Sequence, residues 1–195
     1  AMERITNFVT NWNIISYPGS AWAKQVFPDL EERDAIASLA QAIFSISRVD
    51  NPDPIAAWEK HQKTLTSRQK WLNEKNFSAL RYSGPGTDLT IGLAEGHEWK
   101  GGASTSKNGI TCTPNIPTEE VFTTPHSHRV DGCVRATKPL VYRGTLIDGI
   151  EVEFEKGKIT KARADKGEEV FLNLLDTDEG ARRLGEVALV PHSSP

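Results

Sequence analysis

Apolar residues recur at helical spacing from Glu31 onward. Ile36, Leu39, Ala40, Ile43 and Phe44 fall at i, i+3, i+4, i+7 and i+8, the stripe of a helix packed on one side. Asp50-Asn51-Pro52 breaks that helix, and Asp53-Pro54 starts another with a capping acid followed by proline at the first helical position. Ile55, Trp58, Leu65 and Leu72 then keep one face apolar over roughly five turns of about 3.6 residues. The remaining surface is Lys, Glu, Gln and Arg, so the pattern predicts a solvated connecting helix with His61 on its polar side. Upstream, the pattern predicts a short buried strand over 12–18 and, from Ala21, Trp22, Val26 and Phe27, a brief helix over 20–27.

After Asn76 the period changes. Alternation replaces helical spacing and Gly and Pro punctuate the chain about every eight to twelve residues, as in an antiparallel β region. Strands are predicted over 77–82 and 88–93, around the Gly84-Pro85-Gly86 turn. Ile150, Val152 and Phe154 alternate with Glu151, Glu153 and Glu155, which sets three acids on a wet face. Lys156-Gly157 turns that strand back into 159–164 as a hairpin. A short helix follows over 168–175, and Asp176 with Glu179 three residues on reads as the capping box of one more. The predicted fold class is α+β. A helical N-terminal part over 1–76, the tail of an α/β domain with its connecting helix, precedes an incomplete, mixed and mainly antiparallel β-rich domain over 77–195.

Composition removes several function classes. With 37% hydrophobic and 25% charged residues, 195 residues suffice for an ample core. Lys and Arg form no block, which argues against a nucleic-acid partner. No apolar run approaches the ~20 residues of a membrane helix, and no charged-then-apolar leader is found. The expectation is a cytoplasmic protein with no membrane partner. Cys112 and Cys133 stand in neither zinc nor redox spacing and are expected to be buried free thiols.

The candidate chemistry lies with acids. In Asn115-Ile116-Pro117-Thr118-Glu119-Glu120-Val121-Phe122-Thr123, two adjacent acids follow a proline and precede Val and Phe. At least one carboxylate then stands at the edge of apolar packing, where it needs a cation or hydrogen-bond donors. The same residues also fit a capped turn in which Thr118 or Glu119 satisfies backbone donors. Glu186 opens the apolar run of Leu184-Gly185-Glu186-Val187-Ala188-Leu189-Val190, and strand alternation equally allows it to point outward. His126-Ser127-His128 puts two imidazoles on one strand face, a spacing that suits a metal or two solvated loop histidines. No GxSxG, HExxH or phosphate-loop pattern occurs.

The run from Gly84-Pro85-Gly86-Thr87-Asp88-Leu89-Thr90 through Trp99-Lys100-Gly101-Gly102 to Pro117-Thr118-Glu119-Glu120 resembles the aminopeptidase T and aminopeptidase S family of bacterial metallopeptidases. Val130-Asp131-Gly132, Ala136-Thr137-Lys138-Pro139-Leu140 and the closing 175–190 stretch extend the resemblance over nearly the whole chain. It implies that Glu120, the second acid of Pro-Thr-Glu-Glu, and Glu186, the acid of Gly-Glu-Val-Ala-Leu-Val, are metal ligands. It also implies a parent protein that dimerises and releases N-terminal residues from peptides with a free N-terminus. Two divalent ions, Zn²⁺, Co²⁺ or similar, would activate the water. No further catalytic residue is assigned, and His126 and His128 match no family ligand.

The resemblance makes this chain an expected internal piece. The family's other ligands, a His and a Tyr in one motif and a His and an Asp in another, are expected beyond Pro195. Two glutamates by themselves would bind metal weakly and hydrolyse nothing. The competing expectation is a non-catalytic folded module for packing or dimerisation, with Glu120 and Glu186 as ordinary polar residues.

Overall fold

A computed structural model describes residues 2–194 of the chain. In order, the elements are α1 (Met2–Thr6), β1 (Ile14–Ile15), α2 (Ser20–Val26), α3 (Glu32–Ile46), α4 (Pro54–Lys75), β2 (Ala79–Gly84), β3 (Thr87–Leu93), β4 (Ser104–Thr105) and β5 (Thr111–Cys112). There follow β6 (Asn115–Ile116), β7 (Val121–Thr123), β8 (Pro125–Arg135), β9 (Leu140–Tyr142), β10 (Thr145–Ile147), β11 (Glu151–Glu155), β12 (Lys158–Arg163), α5 (Glu168–Leu175) and β13 (Val187–Leu189). Helices with a mainly antiparallel sheet make this an α+β fold. The chain divides into two compact units, one of residues 2–71, 100–121 and 189–194, the other of residues 72–99 and 122–188.

In the first unit the helical stripe does its expected work. Ala35, Leu39 and Ile43 of α3 are buried against Ala23 of α2, with Phe27 and Ile36 packed around them. Phe44 lies at the edge of the stripe and stays 48% exposed. Asp53 caps α4 as its position predicts, Oδ1 accepting from Ala56 N at 2.9 Å. Two expectations fail here. The polar side of α4 is not simply solvated: Gln62 Oε1 accepts from Ala103 N at 2.9 Å and its Nε2 donates to Thr113 Oγ1 at 3.1 Å. The predicted buried strand is short and open, with Ile14 59% and Ile15 67% exposed. Backbone pairing holds it, β1 running parallel to β6 with Ile14 opposite Asn115 and Ile15 opposite Ile116, and a two-stranded ribbon supplies no layer to cover the side chains.

The second unit is built on a five-stranded antiparallel sheet in the order β12-β11-β8-β3-β2. Leu89, Ile91 and Leu93 of β3, Val130 of β8, Phe154 of β11 and Ile159 of β12 are buried. Helix α5 packs against β10 and β12 and buries Phe171 and Leu175. Strand β13 pairs with β7. Asn73 clamps the buried Trp99 at two points, accepting from its backbone N at 2.8 Å and donating to its carbonyl at 3.1 Å.

The predicted capping box at Asp176 opens no helix. Arg182 occupies the Asp176 carboxylate at 2.7 Å, and Asp178 Oδ1 instead accepts from Gly180 N and Ala181 N at 2.8 and 2.9 Å to close a turn. Both cysteines are free, but Cys133 is exposed and Cys112 half-buried, because alternation along β8 turns Cys133 away from the face that buries Val130. Among the described residues no helix is long and apolar enough to cross a membrane.

The hairpin between β11 and β12 forms at Lys156-Gly157 as predicted, with φ of +48° and +81°, the left-handed pair a two-residue turn requires. A Cβ on Gly157 would stand 2.0 Å from the Ser127 carbonyl oxygen, whereas one on Gly96, φ +67°, would meet open space. Gly96→Ala is therefore expected to cost about 1–2 kcal/mol for backbone handedness alone. Gly157→Ala should add roughly 1–3 kcal/mol of overpacking. Urea unfolding of the full-length protein compares them, and equal costs would show that the turn does not press on Ser127.

Candidate metal centre

The acidic segment is gripped from three directions. Glu119 is 19% exposed at its side chain, and a carboxylate withdrawn that far from water needs compensation. Arg48, just past the end of α3, brings Nη1 to 2.6 Å from Glu119 Oε1. Arg48 compensates this oxygen through both its close contact and its charge. Ser194 Oγ donates to Oε2 at 2.8 Å. His61, 10% exposed on α4, donates from Nε2 to the Thr118 carbonyl at 2.6 Å and lies 3.5 Å from Glu119 Oε1. A carbonyl only accepts, so Nε2 carries a hydrogen. Trp58 backs the cluster, its ring 5.7 Å from the Arg48 guanidinium carbon and edge-on to His61, its Nε1 donating to Ser47 O at 2.8 Å.

Burial by itself would raise the Glu119 carboxyl. The close Arg48 contact, the Ser194 hydrogen bond and the charges of His61 and Arg48 outweigh it and hold the carboxyl below its ordinary value of 4.5. Of the two adjacent acids, Glu119 therefore has both oxygens committed to protein groups. The partners found on the Glu119 carboxylate are the side chains of Arg48 and Ser194.

Glu120 immediately precedes β7 and is half-buried. Its backbone is closely packed: a Cβ on Gly101 would stand 2.6 Å from the Glu120 carbonyl oxygen and 3.2 Å from Val121 Cα. Glu186 immediately precedes β13 and is exposed, while Val187 beside it is buried. His126 and His128 lie on strand β8 and not in a loop. His126 Nδ1 accepts from His128 N at 3.1 Å, and the two rings stand 6.2 Å apart. Among the described residues no three His, Cys, Asp or Glu side chains form a group that could hold a metal ion. Carboxylate oxygens suit divalent cations, but a catalytic zinc site takes three protein ligands, so Glu120 and Glu186 fit such a centre only as part of its donor set.

The family model described as thermophilic metalloprotease (M29) matches residues 1–195, the full length. The chain belongs to this family. It is 56% identical over 195 residues to aminopeptidase T of Thermus thermophilus, covering all of this chain and 48% of that protein. Aminopeptidase 2 of Geobacillus stearothermophilus is 52% identical over 184 residues, 94% of this chain and 45% of its own length. The solved structure of wild-type AmpT from Thermus thermophilus superposes with a TM-score of 0.91 at 55% identity, over 97% of this chain and 46% of that one. The chain thus spans about half the length of the relatives it matches.

Sequence patterning passed over the residues that hold the acidic segment within this family member. Arg48 follows a helix end, His61 sits among Lys and Gln, and Ser194 is near the close of the chain; only the demand of Glu119 for a cation pointed to them. The pH dependence of stability should carry the signature of this cluster. A carboxyl with a lowered folded pKa contributes stability that is full above the ordinary value of 4.5 and is lost as the pH falls through the lowered one. In the metal-free full-length protein, Glu119→Gln is expected to cost about 1–3 kcal/mol at pH 7 and to flatten the acid limb of a stability-against-pH curve. An acid limb identical to the native one would show that Glu119 is not held as a charge.

Proposed function

We propose that the protein to which this chain belongs is a metal-dependent aminopeptidase, releasing N-terminal residues from peptides, with Glu120 and Glu186 as two of its metal ligands. The observation that carries this reading is the match of the whole chain to a metalloprotease family together with 56% identity to an aminopeptidase T. A pair of divalent ions of the zinc or cobalt class, when bound, supplies an acidified water and polarises the scissile carbonyl. Glu120 and Glu186 would contribute negative charge and oxygen donors to such ions. Glu120 stands one residue before β7 and Glu186 one residue before β13.

The remaining donors, in this reading, come from the half of the protein outside this chain, and residues 2–194 alone hydrolyse nothing. The parent is proposed to act as a homodimer in the cytoplasm.

The test is hydrolysis of an aminoacyl-amide by the full-length protein. Activity is expected to disappear on chelation and to return with Zn²⁺ or Co²⁺. Glu120→Gln and Glu186→Gln should each lower kcat at least about 100-fold, the upper end of the loss for disturbing even an outer partner of a metal ligand. Variants that keep full metal-dependent activity would remove both residues from the ligand set.

A further inference from the structure

From the cluster around the Thr118-Glu119-Glu120 segment we infer that Glu119 and Arg48 are positioning residues for the metal ligand Glu120. The inference rests on the reading of Glu120 as a ligand. Adjacent acids of identical chemistry would compete for a cation unless something separated their roles. Here Glu119 has Arg48 at 2.6 Å on one oxygen and Ser194 at 2.8 Å on the other. A divalent ion drawn to Glu119 would meet the guanidinium charge, so that carboxylate is closed to metal.

The same contacts fix the neighbour. His61 holds the Thr118 carbonyl at 2.6 Å, Arg48 and Ser194 hold the Glu119 side chain, and Gly101 packs against the Glu120 carbonyl so closely that a Cβ there would stand 2.6 Å from it. Gly101 is itself followed by Gly102 and Ala103, which Gln62 fastens to α4 through the Ala103 N hydrogen bond at 2.9 Å. The backbone on both sides of the Glu120 Cα is thereby restrained before any ion arrives. Restraint of this kind lowers the conformational entropy lost on coordination and so raises metal affinity.

Titration of the metal-free full-length protein with Co²⁺, followed by the visible absorption of the bound ion, reads this without any turnover. Unfolding in urea is measured alongside on the same samples. Glu120→Gln is expected to abolish or weaken binding at least ~100-fold, while Glu119→Gln and Arg48→Met weaken it about 10-fold. Arg48→Lys, which keeps the charge, should remain within about 3-fold of the native protein, a partial rescue by retained charge. Gly96→Ala, destabilised in a turn with open space around it, should bind as the native protein does, separating positioning from general loss of stability.

Native affinity in both Glu119→Gln and Arg48→Met, with Glu120→Gln defective, would overturn the positioning role and leave the ligand reading standing. Native affinity in Glu120→Gln would remove the ligand reading itself. Should Glu119→Gln not fold, Ser194→Ala takes its place, and native affinity in Ser194→Ala and Arg48→Met together overturns the inference.

Discussion

A carboxylate with only about a fifth of its surface in water must find a cation, and for Glu119 that cation is Arg48. Meeting this need draws together parts of the chain that are far apart in sequence: Arg48 two residues past α3, His61 in α4, the Pro-Thr-Glu-Glu segment and Ser194. Arg48 lies against Trp58, so the charge that compensates Glu119 is itself seated on an aromatic face. Removing either partner would leave the other half-buried without its ion-pair partner, which is destabilising.

The cluster divides the labour between two neighbouring acids. Glu119 is spent on structure, with its carboxyl held below the usual range by Arg48, Ser194 and His61 against the opposing effect of burial. Glu120 follows it directly on a backbone that Gly101 approaches closely. Within the same unit α2 packs on α3 through Ala23, Ala35, Leu39 and Ile43. The family match over the whole length then gives the acids a chemical context that neither possesses from its surroundings alone.

Much of the fold could be read from local pattern. The α3 stripe, the Asp53 cap, the β3 alternation and the Lys156-Gly157 turn are decided by residues within a few positions of one another, and all are found. The misreadings share a different origin. Ile14 and Ile15 are apolar but lie in a two-stranded ribbon, Asp176 has the spacing of a cap but is captured by Arg182, and His61 sits among charged residues yet turns inward to Thr118. For His61 a partner distant in sequence overrides the local signal, for Asp176 an arginine six residues on, and for Ile14 and Ile15 the lack of a covering layer. The site divides the same way. Resemblance of the segments around Glu120 and Glu186 singled them out, while Arg48 and Ser194 carry no motif and emerge only when the chain is folded.

The central claim is that Glu120 and Glu186 hold metal while Glu119 does not. The most direct measurement is anomalous X-ray scattering at the zinc or cobalt edge from crystals of the full-length protein. The account predicts anomalous peaks with carboxylate oxygens of Glu120 and Glu186 at about 2.0–2.2 Å, and Glu119 still paired with Arg48. Peaks coordinated by Glu119, or located away from Glu120 and Glu186, would contradict it.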